Sequence, residues 1–286
     1  MSSRTNAAVA VLAVALLLSV AASVALLSSN AQLDQDKATA STRLRMNSIL
    51  DGGQMAVQAE MQKIRDLVVG LALTLRSTGL NSTEARAEMN ATVAADPYII
   101  DIITVDTHGV VLAAEPEQYR GIEGVNLTGD AKTDEWLLYK VPVMSDTFLA
   151  YEGVYGSGYG CSVFAEDGSF LGGVSILYSA AAMLNGTLLP LSAGTGFTWW
   201  CMQTNGTLVY DTDAAQIGLN QLVGPEYVAY PELVAVSWKM VNESSGYGVY
   251  HFLRTLDSGQ TITKEIFWNT VGAEGIEWRL AVVHWV

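Results

Sequence analysis

Hydrophobic positions fall along the chain in three textures. From Ala7 to Leu27 they are nearly continuous, AAVAVLAVALLLSVAASVALL, an uncharged run of about 21 residues that is long enough to cross a bilayer as one helix. Residues 32–78 lack proline, and Val57, Met61, Ile64, Val68, Leu71 and Leu75 recur at alternating spacings of four and three, which predicts a helix with a narrow apolar seam. At about 1.5 Å per residue that helix would reach about 70 Å. Gly52-Gly53 is its weak point, since each glycine destabilises a helix by about 1 kcal/mol. The seam suits either a coiled coil with a second copy or packing on the chain's own domains. Beyond Tyr98 the texture becomes short β-branched runs broken by glycine turns, the pattern of strands.

The first run is read as a membrane anchor. Arg4 precedes it and Asp34 and Asp36 follow, so the positive-inside bias places residues 1–6 as a cytoplasmic tail, 7–27 as the transmembrane anchor and the bulk of the chain outside the cell membrane. A cleaved signal peptide is the competing reading. Its apolar region is usually about 7 to 15 residues, and only Ser29-Asn30-Ala31 resembles a cleavage site.

After the long helix, Asn81 with Glu84 resembles a capping box that opens a second helix, ending before Asp96-Pro97. YIIDIITV, His108-Gly109 and VVLAA predict a strand, turn and strand, and CSVFAEDGSFLGGVSIL repeats the pattern around Asp167-Gly168. SAAAMLNGTLLPLSAG reads as a short linker helix, after which the order restarts. GFTWWCMQ and TLVYD flank Asn205-Gly206, PELVAVSWKMV is a helix, and YGVYHFL, TKEIFWNTV and EWRLAVVHWV are strands. VDTHGVVLAAEPEQYRGIEGVN aligns with MQTNGTLVYDTDAAQIGLN when about three residues are dropped, an internal repeat. The expected fold class is α+β: two modules, each an antiparallel sheet flanked by helices.

In its order of anchor, long helix, VDTHGVVLAA, VPVMSDTFLAYEGVYGSGYGCSVFAEDGSFLGGVSIL, YDTDAAQIG, SGYGVYHF and GIEWRLAV, the chain resembles the double Cache (PAS-like) extracytoplasmic sensor regions of archaeal and bacterial membrane receptors. The resemblance implies a stalk helix at 32–78, a membrane-distal module at 79–178, a linker helix at 179–194 and a membrane-proximal module at 195–286. It also implies small-ligand binding in the distal module. Such receptors normally continue into an output domain, whereas this chain ends at Val286; the expectation is a sensor that hands its state to a separate signalling membrane protein or a second copy, or that only captures a ligand. Amino-acid-binding members carry an Arg-x-Trp pair, and Tyr119-Arg120-Gly121-Ile122 does not reproduce it.

Charge narrows the partners. Only 15% of residues are charged and the net charge is −14, so no basic surface exists to neutralise phosphates, and nucleic acid is excluded as a partner. Asn81, Asn90, Asn126, Asn185, Asn205 and Asn242 each begin an N-x-S/T triplet, which suggests N-glycosylation and again an outside location. Cys161 and Cys201 sit in apolar strand-like surroundings and read as buried thiols, with a disulfide permitted outside the cell. Two cysteines and the scattered His108, His251 and His284 make no metal-ligand pattern, and no cofactor is expected.

No enzyme motif is present: Ser157 lies in G-S-G-Y-G rather than a nucleophile elbow, no P-loop lysine follows a glycine loop, and no H-E-x-x-H occurs. Asp211 and Asp213, two apart, read as a strand-end turn capping backbone donors. Binding is better supported. Tyr119, Trp136, Tyr139, Tyr151 and Tyr155 gather around Ser145 and Asp146, the mix of aromatic wall and sparse polar groups typical of a small-molecule pocket. The expected function is thus a membrane-anchored extracytoplasmic sensor that binds a small molecule. The alternative is a glycosylated cell-envelope structural or adhesion protein without a pocket.

Overall fold

The computed structural model describes residues 2–129 and 131–286, apart from the side chains of 2–18, 20–22 and 131. Most of the expected anchor, 7–27, therefore lies outside the residues whose side chains are described; among the described residues no helix is long and apolar enough to cross a membrane. The chain divides into two compact units, Met1–Ser48 and Ile49–Val286. The first is helical throughout its described residues, and there the Ser23 hydroxyl donates to the Ser19 carbonyl at 2.8 Å.

Helix α1 runs Ser2–Thr78, followed by α2 (Thr83–Ala95). Next come strands β1 (Ile99–Val105) and β2 (Val111–Glu115), a 3-10 turn (Glu117–Ile122), helix α3 (Ala131–Tyr139) and strands β3 (Val143–Met144), β4 (Phe148–Leu149), β5 (Tyr155–Phe164) and β6 (Phe170–Tyr178). After α4 (Ala180–Ser192) the order resumes with β7 (Thr198–Gln203), β8 (Leu208–Asp211), α5 (Pro231–Asn242), β9 (Gly246–Leu253), β10 (Thr261–Ala273) and β11 (Ile276–Trp285). Two antiparallel sheets result, β2-β1-β6-β5-β3 with β4 on β5, and β8-β7-β11-β10-β9. In each, the first hairpin lies at one edge and the last strand returns to pair with its first member, so the sequence repeat is a repeat of topology.

The apolar seam of α1 is buried in the second unit: Val57, Ile64, Val68 and Leu75 have no exposed surface. Packing within the chain accounts for it. Gly53, expected as a weak point, is where the helix meets the second sheet, because a Cβ there would stand 2.5 Å from Trp199 Cη2. Gly52 faces open space. One turn on, α1 closes a sheet edge. β9 pairs with β10 only over Thr261–Trp268, and the carbonyls of Thr270 and Gly272 beyond it accept hydrogen bonds from the Gln54 and Gln58 side chains, both at 2.8 Å. A helical spacing of four thereby matches a strand spacing of two.

The second helix begins one residue later than the capping-box reading places it. Ser82, not Asn81, is the N-cap, its hydroxyl accepting from Ala85 N at 3.0 Å, while Asn81 Oδ1 accepts from Arg86. Glycosylation-triplet asparagines 81, 90, 126, 185, 205 and 242 are all exposed. Cys161 and Cys201 are buried free thiols.

Candidate ligand-binding site

Period-two alternation on β1 sends Asp101 and Ile103 to one face of the first sheet. Register extends each into a row across the strands: Asp101 pairs with Leu177 and Leu177 with Gly158, while Ile103 pairs with Ser175, Ser175 with Gly160 and Gly160 with Val143. Above these rows lies a cavity of about 600 Å³, roofed by α3 and by the segment around β4. Its size is in the usual range for small-molecule pockets, about 300–1,000 Å³.

Glycines shape its floor. At Gly160 and Gly173 a Cβ would collide with the Trp136 indole, so the bare backbone of β5 and β6 lets that ring lie flat on the sheet. Ser145 Oγ is occupied by the backbone, accepting from Gly158 N at 2.8 Å and donating to the Asp146 carbonyl at 2.9 Å. It fixes the turn after β3 on β5.

The electrostatic centre is Asp101, 1% exposed and on the cavity wall. Burial, and secondly the neighbouring Glu152 carboxyl, push its pKa up to about 9. Asp101 Oδ2 has no hydrogen-bond partner. Protonated at neutral pH, Asp101 contributes an open acceptor rather than a charge, and with the neighbouring Glu152 carboxyl it makes a site for a donor-rich or cationic group. Lys132 also lines the cavity but is paired with Glu135 at 2.9 Å.

Of the residues expected from sequence, Trp136, Ser145 and Tyr151 line the cavity, Trp136 on the floor and Tyr151 exposed at the mouth. Tyr119, Tyr139, Asp146 and Tyr155 do not. Tyr139 and Tyr155 are exposed elsewhere, and Tyr119 sits in the 3-10 turn, its N–H donating to the Pro116 carbonyl. Asp146 is half-buried behind the turn; burial raises its pKa, with the Trp278 indole and the Lys132 charge opposing. Arg120 points away from the cavity, joining Arg86 and Asn90 around buried Glu115. Burial would raise the Glu115 carboxyl, but these hydrogen bonds hold it below its ordinary range. Sequence reasoning missed Asp101, Glu152, Thr133 and Ser175. A lone carboxylate inside the apolar strand YIIDIITV was the one available signal for Asp101.

Two sheets of like topology beside a long helix, with a cavity over the first, match the arrangement expected of a Cache-type sensor region. Residues 59–180 match the family of HK/GC/chemotaxis protein-like sensor domains. Among solved structures, an extracellular ligand-binding receptor from Desulfohalobium retbaense is similar at 24% identity and a TM-score of 0.70, over 84% of this chain and 40% of that one. This chain therefore spans less than half of that receptor's length. The ligand-binding domain of the Pseudomonas aeruginosa amino acid chemoreceptor PctC, in complex with GABA, matches at 16% identity and TM-score 0.57, over 82% of this chain and 96% of that one. The ligand-binding domain of the Campylobacter jejuni chemoreceptor Tlp3, in complex with 4-methylisoleucine, matches at 11% identity and TM-score 0.62, covering 86% and 91%. A comparison with curated proteins returned no match.

Proposed function

We propose that the chain is the extracytoplasmic ligand-binding part of a membrane sensor, anchored through 7–27, with the first sheet as its membrane-distal module and the second as its proximal one. The ligand is a small molecule carrying an ammonium or other cationic donor, held over the first sheet by Asp101 and Glu152 and walled by Trp136 and Tyr151. One observation carries this reading: a cavity of about 600 Å³ lined by a buried carboxyl with an open acceptor. It favours a sensor over the structural or adhesion protein lacking a pocket. The two chemoreceptor domains with bound GABA and 4-methylisoleucine support the same assignment, since both ligands carry an amino group.

The test is a thermal-shift screen of the full chain against amines, amino acids, carboxylates and nucleobases, repeated on Asp101→Asn. A ligand at one hundred times its dissociation constant adds about 2.7 kcal/mol to the folded state. Amine-bearing compounds should raise the melting temperature of the parent and lose that effect in the variant. Stabilisation by no compound in the screen, or equal stabilisation of both proteins, would sink the reading.

A further inference from the structure

The second sheet repeats the topology of the first, and it too has a cavity on the face beneath its covering helix. Register places the walls. Trp200 pairs with Asp211 across β7 and β8, Thr198 with Val283 across β7 and β11, and Lys264 with both Trp285 and Tyr250, so all these side chains share one face. The space they enclose is about 190 Å³. That is smaller than the first cavity and below the usual range of about 300–1,000 Å³, a volume suited to a short organic molecule.

The chemistry differs from that of the first cavity. Lys264 is 8% exposed, yet among the described residues its ammonium has no carboxylate within 4 Å; it has only the Arg254 carbonyl at 3.4 Å and the Phe252 ring, centred 5.1 Å away. Buried lysines ordinarily have an ionic partner. Of the nearby acids, Asp213 accepts from Leu256 N at 2.6 Å and from Gln216 Nε2 at 3.5 Å, both through Oδ2, and makes no direct ion pair with Lys264. Burial pushes Asp211 up to about 8, against the pull of the Lys264 charge, which weakens it as a counter-charge. Gln221, 2% exposed, has its carbonyl oxygen engaged by Ser237, which leaves its amide N–H groups for the cavity that it lines. Burial lowers the Lys264 pKa, and the Asp211 and Asp213 carboxyls, which also line the cavity, oppose that shift from beyond ion-pair distance; a buried amine without a direct ion pair and the Gln221 N–H donors thus face aromatic walls.

We propose that this second cavity is a separate binding site for a short-chain monocarboxylate, its carboxylate paired with Lys264 and its alkyl part against Trp200, Tyr250 and Phe252. The site is independent of the amine-binding cavity over the first sheet. A sensor with both would read two chemically opposite ligands on one chain.

Calorimetric titration of the full chain with acetate, propionate and butyrate, and with ethylamine and propylamine as matched cations, tests the proposal. The carboxylates should bind the parent and Asp101→Asn alike. Lys264→Met should lose at least tenfold in affinity, and Lys264→Arg should retain part of it. In a chain labelled with 5-fluorotryptophan, propionate should shift the Trp200 and Trp285 resonances and leave Trp136 unmoved, a readout that stands even if Lys264→Met fails to fold. No carboxylate binding, a shift at Trp136 instead, or loss of carboxylate binding in Asp101→Asn would each overturn it. Loss of amine binding alone in Asp101→Asn bears only on the first cavity.

Discussion

Tyr159 and Glu274, 115 positions apart in sequence, meet at 3.0 Å: the β5 phenol donates to a carboxylate oxygen at the tip of the β10–β11 hairpin. The same oxygen accepts from Arg65 Nε of α1 at 2.8 Å. One carboxylate thus ties the first sheet, the second sheet and the long helix together, and Glu274 holds it there from a left-handed backbone position, φ 48°. Tyr159→Phe removes one hydrogen bond and keeps the buried ring. It should destabilise the chain by about 1 kcal/mol in urea unfolding. An unchanged midpoint would mean that the Arg65 pair holds the junction alone.

Asp101 makes stability depend on pH in an uncommon direction. Unfolded, its carboxyl ionises near about 3.9; folded, it keeps its proton up to about 9. Between those values the folded chain binds more protons than the unfolded one, so this group's contribution falls as pH rises through the window. Asp101→Asn, neutral throughout, should flatten the decline in unfolding midpoint between about pH 5 and pH 9. Parallel pH profiles of parent and variant would show that Asp101 is ionised in the folded state.

Adjacent glycines in α1 should respond with opposite sign. Gly52→Ala meets nothing within 4 Å and should stabilise by up to about 1 kcal/mol through helix propensity. Gly53→Ala drives a methyl into the fully buried Trp199, an overpacking that typically costs about 1–3 kcal/mol, more than the same propensity gain returns. Equal melting temperatures for the two variants would mean that α1 shifts freely against the second sheet.

The two aromatics of the first cavity separate binding from folding. Trp136 is 3% exposed, so Trp136→Ala should cost about 3–5 kcal/mol of stability along with ligand affinity. Tyr151 is 69% exposed at the mouth, so Tyr151→Ala should leave the melting temperature within about 0.5 kcal/mol equivalent while weakening binding. Titration calorimetry beside thermal unfolding checks both. Unimpaired affinity in Tyr151→Ala would place the ligand deeper in the cavity.

What the sequence determined by itself was local and periodic. The seam from Val57 to Leu75, the glycine turns at 109, 168 and 206, and the restart after 195 were legible because helix and strand periods and left-handed turn positions are short-range properties of the chain. Tertiary structure alone decided which side chains share a space. Trp136 and Tyr151 lie within the same stretch of sequence as Tyr139 and Tyr155, yet only the first two line the cavity, because facing depends on strand register and on how α3 crosses the sheet. Asp101 and Glu152 are adjacent only through the pairing of β1 with β6 and β6 with β5. Gly53 looked like a helix defect until Trp199, 146 positions away, was placed against it, since close approach between distant segments leaves no periodic trace.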